Sequence, residues 1–337
     1  MKRNCGTLIV IIIVTLTLAS CWATSGQAEK QGANIPMNTQ YIGRFSLAIP
    51  IEMQQAARSH EIRSTEIKEM AWLDPSTHKS ESTAVWNEFL EKIRKLRLPE
   101  GKDRIIIKRK EFSGIGEWAE GVFYYDDYAH PSSAKWVLFV DTGSRGVWFT
   151  TISMSVEKDM ISGNANGILN ELGKTYRVVN PNETRLKGDW FHLEHGAINL
   201  PYQWEEKSYV RFEGHPLKLE LEIEMDMDVR YKRKTTGLLD NVFASIVTGF
   251  AAGVDIKRIR SHKRVVAGLK GEEEVDRMRE KDDTDLSFIW SYNGKDDSGE
   301  EPEIHISMVS PDGNLDEKLK IWDAILDSMQ PMYEKKR

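Results

Sequence analysis

A chain of 337 residues in which 46 Lys and Arg face 52 Asp and Glu carries a formal net charge of −6. That balance excludes nucleic acid as the partner, because neutralising phosphates takes a basic patch. Apolar residues at 40%, with 10 Trp, 10 Tyr and 11 Phe, supply packed cores and exclude disorder, and the length suits two domains of about 150 residues each.

Lys2 and Arg3 precede an apolar run over residues 8–18, and Leu18-Ala19-Ser20-Cys21 follows. A charged start, an apolar middle and a small-residue exit make 1–20 a secretory signal peptide. The last four residues resemble a bacterial lipobox, which implies a diacylglyceryl anchor on Cys21, each buried methylene contributing about 0.8 kcal/mol of attachment. Trp22, where an Asp would retain the protein at the inner membrane, resembles the signal for the outer membrane. Two other readings stand beside this one: an uncleaved signal anchor, since 5–22 is nearly long enough to span a bilayer, and cleavage to a soluble periplasmic protein. With Cys5 lost and Cys21 acylated, the mature body has neither thiol nor disulfide. Residues 21–38, small and polar with Gly26, Gly32 and Pro36, read as a flexible tether.

Residues 43–50 read as a short strand stopped by proline, which cannot donate to a ladder. The stretch 50–82 shows no clear period, with room for a helix between Glu66 and Leu73. Residues 83–98 place Trp86, Phe89, Leu90, Ile93 and Leu96 at helical spacing. Strands are expected at 104–110, 118–125, 135–140 and 147–154, rich in β-branched and aromatic residues, and a helix at 165–176. Asn180-Pro181-Asn182 then breaks the chain. Beyond it come 191–200, an alternating stretch at 217–229, a helix at about 238–250, and strands at 255–266, 286–292 and 304–308. A closing helix at 315–329 puts Leu319, Trp322, Ile325, Leu326 and Met329 on one face, with Asn314 as its cap. Strand, helix, strands and helix thus occur twice. The order predicts an α+β protein of two similar domains, 39–181 and 182–337, each a mostly antiparallel sheet packed with helices.

The alternating stretch is the most regular feature. Leu217, Leu219, Leu221, Ile223, Met225, Met227 and Val229 hold the odd positions, and Glu220, Glu222, Glu224, Asp226 and Asp228 the even ones from 220. A strand sends successive side chains to opposite faces, so one face is apolar and the other carries five carboxylates. Such a face is either the solvated outside of an antiparallel sheet or a docking surface for a cationic partner.

Catalytic signals are thin. Asp141-Thr142-Gly143 mimics the aspartic-protease signature, but that chemistry needs two carboxylates sharing a proton, and no second copy exists. Between two apolar strands it reads as a hairpin turn. His192 and His195 lack the helical H-E-x-x-H spacing of a zinc site, and the chain has no G-x-S-x-G elbow, phosphate-binding loop or dinucleotide fingerprint. No metal, cofactor or catalytic role is expected.

The stretch Ile259-Arg260-Ser261-His262-Lys263-Arg264-Val265-Val266-Ala267-Gly268-Leu269-Lys270-Gly271-Glu272-Glu273 resembles the C-terminal domain of immunity proteins cognate to type VI secretion phospholipases of the fourth Tle lipase family. The likeness continues through Phe288-Ile289-Trp290, Gly294, Pro302, Met308 and residues 322–328. Residues 188–201 and 43–50 resemble the openings of that family's C- and N-terminal domains. The resemblance implies a two-domain periplasmic protein that binds an α/β-hydrolase-type lipase toxin and blocks it, protecting producer and sister cells. Glu272 and Glu273 match the family pattern and stand as partner contacts or as braces of a loop, with Gly268 and Gly271 serving turns. The competing reading is a non-catalytic envelope lipoprotein that helps assemble a membrane machine.

Overall fold

The computed structural model describes residues 35–126, 132–152, 154–156, 163–179, 186–201, 205–227, 254–281, 283–295 and 300–333. The signal segment with Cys21, the helix expected at 238–250 and the break at 180–182 lie outside the described residues. From Pro36 onward the chain packs as one compact unit.

Its first half contributes β1 (Met37–Ile42), β2 (Phe45–Pro50), β3 (Gln54–Ile62), β4 (Thr65–Ala71), α1 (His78–Arg94), β5 (Ile106–Glu111), β6 (Trp118–Tyr125), β7 (Ser133–Asp141), β8 (Arg145–Thr151), β9 (Met154–Ser155), α2 (Asn164–Thr175) and β10 (Tyr176–Val178). The second half adds β11 (Trp190–His192), β12 (Gly196–Asn199), β13 (Glu206–Glu213), β14 (Glu220–Met227), β15 (Val254–Val266), β16 (Leu269–Glu280), β17 (Asp283–Asn293), β18 (Glu303–Pro311), α3 (Leu315–Ser328) and β19 (Gln330–Pro331). The α+β class read from the sequence holds. One antiparallel sheet runs β15-β16-β17-β18-β14-β13-β3-β4-β8-β7-β6-β5, with β9 beside β7. Each half of the chain supplies a contiguous run of strands, and the β3–β13 pairing joins the two runs. Chain segments also cross over: β2 of the first half pairs with β19 and packs on α3, while β10 pairs with β12.

In the first half the sheet is covered on both faces. Trp86, Leu90 and Ile93 of α1 share a helical stripe and pack with Val122, Val137 and Phe139. On the opposite face Leu169 and Leu172 of α2, with Phe191, Ile198 and Leu200, meet Phe123, Leu138 and Phe149. This double burial is why Trp136-Val137-Leu138-Phe139-Val140 is an unbroken apolar run rather than an alternating one. In the second half the strands alternate. Leu221, Ile223, Phe288, Trp290, Ile304 and Ile306 are wholly buried, as are Trp322 and Ile325 of α3, and their sequence neighbours on the strands face outward.

Three expectations are corrected. Residues 66–73 are not a helix: β3 and β4 form a hairpin across Arg63 and Ser64, both left-handed at φ 50° and 58°, as a two-residue turn matching strand twist requires. The helix capped by Asn314 begins at Leu315, but Asn314 itself is left-handed (φ 50°) and makes no side-chain cap; its carbonyl accepts from the Glu317 and Lys318 amides at 3.1 Å. Gly271 lies inside β16 and serves no turn. A Cβ there would stand 2.5 Å from Trp290 Cε2 and 2.6 Å from the Ser291 carbonyl oxygen, both parts of the neighbouring strand. Gly271→Ala is therefore expected to destabilise the protein by about 1–3 kcal/mol in urea denaturation, the usual range for overpacking; an unchanged midpoint would show that β16 and β17 separate freely.

Candidate partner interface

The acidic stretch is a strand, as its period demands. It starts at Glu220 rather than 217, because Lys218 is left-handed at φ 54°, and Asp228 and Val229 lie outside the described residues. Leu221 and Ile223 are fully buried, Glu220 and Glu224 are exposed, and Glu222 and Asp226 are half-buried. The like charges are tolerated because β13 lays cations and a phenol beside them. Arg211 opposes Glu222 in the ladder and its Nη2 reaches Glu220 Oε2 at 2.9 Å. Lys207 Nζ stands 3.3 Å from Asp226, and the Tyr209 hydroxyl donates to Glu222 at 3.0 Å. On the other side Glu224 opposes His305 of β18.

Register carries this face across the sheet. Glu272 opposes Ser291, Ser291 opposes His305, His305 opposes Glu224, and Glu224 opposes Tyr209, so Glu272 and the β14 carboxylates share one outward surface. α1 packs on this same face of the sheet over the first half, against Phe139 and Val137, which leads to a step where the halves meet. A cleft of about 510 Å³ opens there. Glu61, Glu66, Asp126, Glu224 and Asp226 line it, against the cations Lys135 and Lys207. Tyr209 and Ile152, the latter 54% exposed, give it an apolar part. A concave site of this make-up suits a basic side chain with an aliphatic stem.

Glu273 is corrected from contact to brace. Its side chain is wholly buried, and its carboxylate is bonded to Arg260 and accepts from Arg264 Nη1 at 3.2 Å and from the Trp322 indole at 2.8 Å. Arg264 also reaches Asp323 and Asp327 of α3 at 2.6 Å each. This network ties α3 to the β15–β16 hairpin and leaves Glu273 nothing to offer a docking protein. Asp141 is likewise buried: it accepts from the Gly143 amide at 2.8 Å and lies 2.8 Å from His78 Nδ1, closing the β7–β8 turn. His192 is buried with Nε2 3.0 Å from the Leu186 carbonyl, and no cluster of three or more metal-ligating side chains occurs among the described residues.

The contributions of Lys207, Tyr209 and Arg211 were missed in the sequence, although 206–213 alternates as plainly as β14, with Ser208, Val210 and Phe212 inward. Glu61 and Glu66 carry no local signal of belonging to the same site. They reach it only through the β3–β13 junction.

Residues 191–332 match the family model described as Tle cognate immunity protein 4 C-terminal domain. Among solved structures, the apo immunity protein TplEi of the T6SS from Pseudomonas aeruginosa aligns at 19% identity and a TM-score of 0.70, covering 88% of this chain and 97% of that one. A chain in the crystal structure of a Tle4–Tli4 complex aligns at 19% identity and a TM-score of 0.71, with 88% and 97% covered. At such identity the likeness establishes the fold. Comparison with curated proteins found no match.

Proposed function

We infer that this chain, whose residues 191–332 match the model of the Tle cognate immunity protein 4 C-terminal domain, is an immunity protein that binds and neutralises a cognate type VI secretion phospholipase. The carrying observation is that family match. The fold shared with immunity proteins over 88% of the chain supports it. Neutralisation requires binding and no catalysis, and the partner is a lipase effector of the α/β-hydrolase type. The halves 39–181 and 182–337 are its two immunity domains, flanking the toxin like a clamp. Export by the signal at 1–20 and acylation of Cys21 hold it at the periplasmic side of the outer membrane, where an incoming lipase acts. No helix among the described residues is long and apolar enough to cross a membrane.

The outward face of Glu220, Glu222, Glu224, Asp226 and Glu272, joined by Asp228 on the sequence alternation alone, steers the toxin through a basic region of its surface. Co-expression of the lipase, directed to the periplasm, with and without this chain tests the function: rescue of growth and inhibition of the purified lipase are expected, and failure to bind defeats the reading. Reversal of Glu220, Glu222 and Glu224 to Lys is expected to slow association about 10–100-fold at low salt and to flatten its salt dependence. An unchanged association rate returns the face to solvent.

A further inference from the structure

A second, smaller pocket lies at the same β3–β13 junction, on the inward side to which Ser208 turns and away from the acidic strand. It measures about 160 Å³. Its floor is His60, 4% exposed, whose Nδ1 is 3.0 Å from Ser208 Oγ on β13. The other ring nitrogen therefore turns away from β13, toward Ile67 of β4 and Leu193, which give the pocket its apolar walls. No hydrogen-bonding group among the described residues reaches that buried Nε2.

The charged groups around the pocket are already engaged. Arg58 Nε donates to Gln55 Oε1 at 2.7 Å, and its Nη1 donates to the Tyr41 carbonyl at 3.1 Å. Gln55 Nε2 donates to Glu194 Oε2 at 3.0 Å, while Glu194 Oε1 lies 3.3 Å from His195 Nε2. Both Glu69 oxygens accept, one from the Tyr176 hydroxyl at 2.7 Å and one from the His195 amide at 2.9 Å. Lys68 borders the pocket too, but its ammonium pairs with Glu66 at 2.8 Å, on the other face of the sheet. These bonds fix the rim and leave a buried, unmatched ring nitrogen at the base, an arrangement that favours a neutral occupant carrying a hydrogen-bonding group.

Three features narrow the class of that occupant. The Nδ1–Ser208 bond can run in either direction, so Nε2 is an acceptor or a donor, and a hydroxyl serves both cases. Arg58 uses edge atoms of its guanidinium for Gln55 and Tyr41, and the face of such a plane stacks on an aromatic ring. At the packing density of protein interiors the volume takes roughly 120 Å³ of ligand, about one six-membered ring with two small substituents. We propose that this pocket binds a phenol, its hydroxyl on His60 Nε2 and its ring among Ile67, Leu193 and the Arg58 guanidinium. The bond joins neutral groups, because burial and the Arg58 charge hold His60 down to about 3. A phenol reaches the pocket either as a tyrosine side chain of the protein partner or as a free small molecule. The chemistry of the pocket stands apart from the reading of the chain as an immunity protein.

Titration of the full chain with 4-methylphenol, followed by the imidazole nitrogen NMR signals of His60, tests it. Saturable binding with a Kd of about 1 mM or tighter is expected, with a shift of the His60 Nε2 resonance. Toluene, which lacks the hydroxyl, and 4-methylcyclohexanol, which lacks the aromatic face, should each bind about tenfold more weakly. Arg58→Lys, at a half-buried position and with the charge kept, should remove most of the preference for 4-methylphenol over 4-methylcyclohexanol. Displacement of the purified lipase by saturating 4-methylphenol assigns the group to a tyrosine of the partner; simultaneous binding of both assigns it to a free phenol. Absence of saturable binding, an unmoved His60 resonance, or toluene binding as tightly as 4-methylphenol overturns the proposal.

Discussion

Arg44→Met is expected to cost about 3–5 kcal/mol of stability, read as a lowered midpoint in urea denaturation. Arg44 follows Gly43 in the turn between β1 and β2, and Gly43 is tied to His192 by two backbone bonds of 3.0 and 2.7 Å. From there the guanidinium, 6% exposed, donates to both carboxylate oxygens of Glu206, at 2.7 and 2.5 Å, and to the Leu200 carbonyl at 2.9 Å. Glu206 is 7% exposed at the start of β13, the strand that joins the two runs of the sheet. Methionine fills the space but strands a carboxylate in a dry site, and that stranded charge, rather than the loss of attraction, dominates the cost. Arg44→Met combined with Glu206→Met should therefore recover much of it. A loss below about 1 kcal/mol in the single variant would show that Glu206 finds water or another partner.

The second large effect is one of pH. His60 is held down to about 3 from an ordinary 6.5, by burial first and by the Arg58 charge second, with Glu194 opposing. The unfolded chain takes up this proton as pH falls through 6.5 and the folded chain only near 3. Between those values the unfolded state binds more protons, so stability contributed by the neutral ring is complete above 6.5 and is lost on acidification. The slope approaches 1.4 kcal/mol per pH unit and the whole effect about 5 kcal/mol. Other carboxylates add their own acid loss, so the measurement is the difference between wild type and His60→Asn in urea midpoints from pH 7 to 4. Wild type should lose stability more steeply. Parallel curves would mean that the ring is protonated without unfolding.

Both effects arise at the β3–β13 junction, and so does the acidic cleft. The junction brings Glu61 and Glu66 to Lys207, Glu224 and Asp226 across more than 140 residues of chain. A toxin held there would touch both halves at once, which couples recognition to the integrity of the Arg44–Glu206 pair: a variant that loosens the pair should weaken both.

Periodicity alone made much of this protein legible. Alternation over 217–229 identified β14 and which of its faces is buried, and the helical stripes of Trp86-Leu90-Ile93 and Trp322-Ile325-Leu326 identified α1 and α3, because burial against one neighbour imposes a spacing that survives in the sequence. The hairpin of β3 and β4 was illegible because its strands are largely polar and half-exposed, so little apolar rhythm marks them, and β16 was hidden by its charges for the same reason. The outward position of Glu224 could be read from its neighbours, and its company could not. Whether Glu273 meets a partner or a buried arginine pair, and whether Glu61 belongs with Asp226, depends on strand order and on the crossing of β2 and β12 between halves. Those are long-range pairings, decided by which faces fit together, and no local spacing records them.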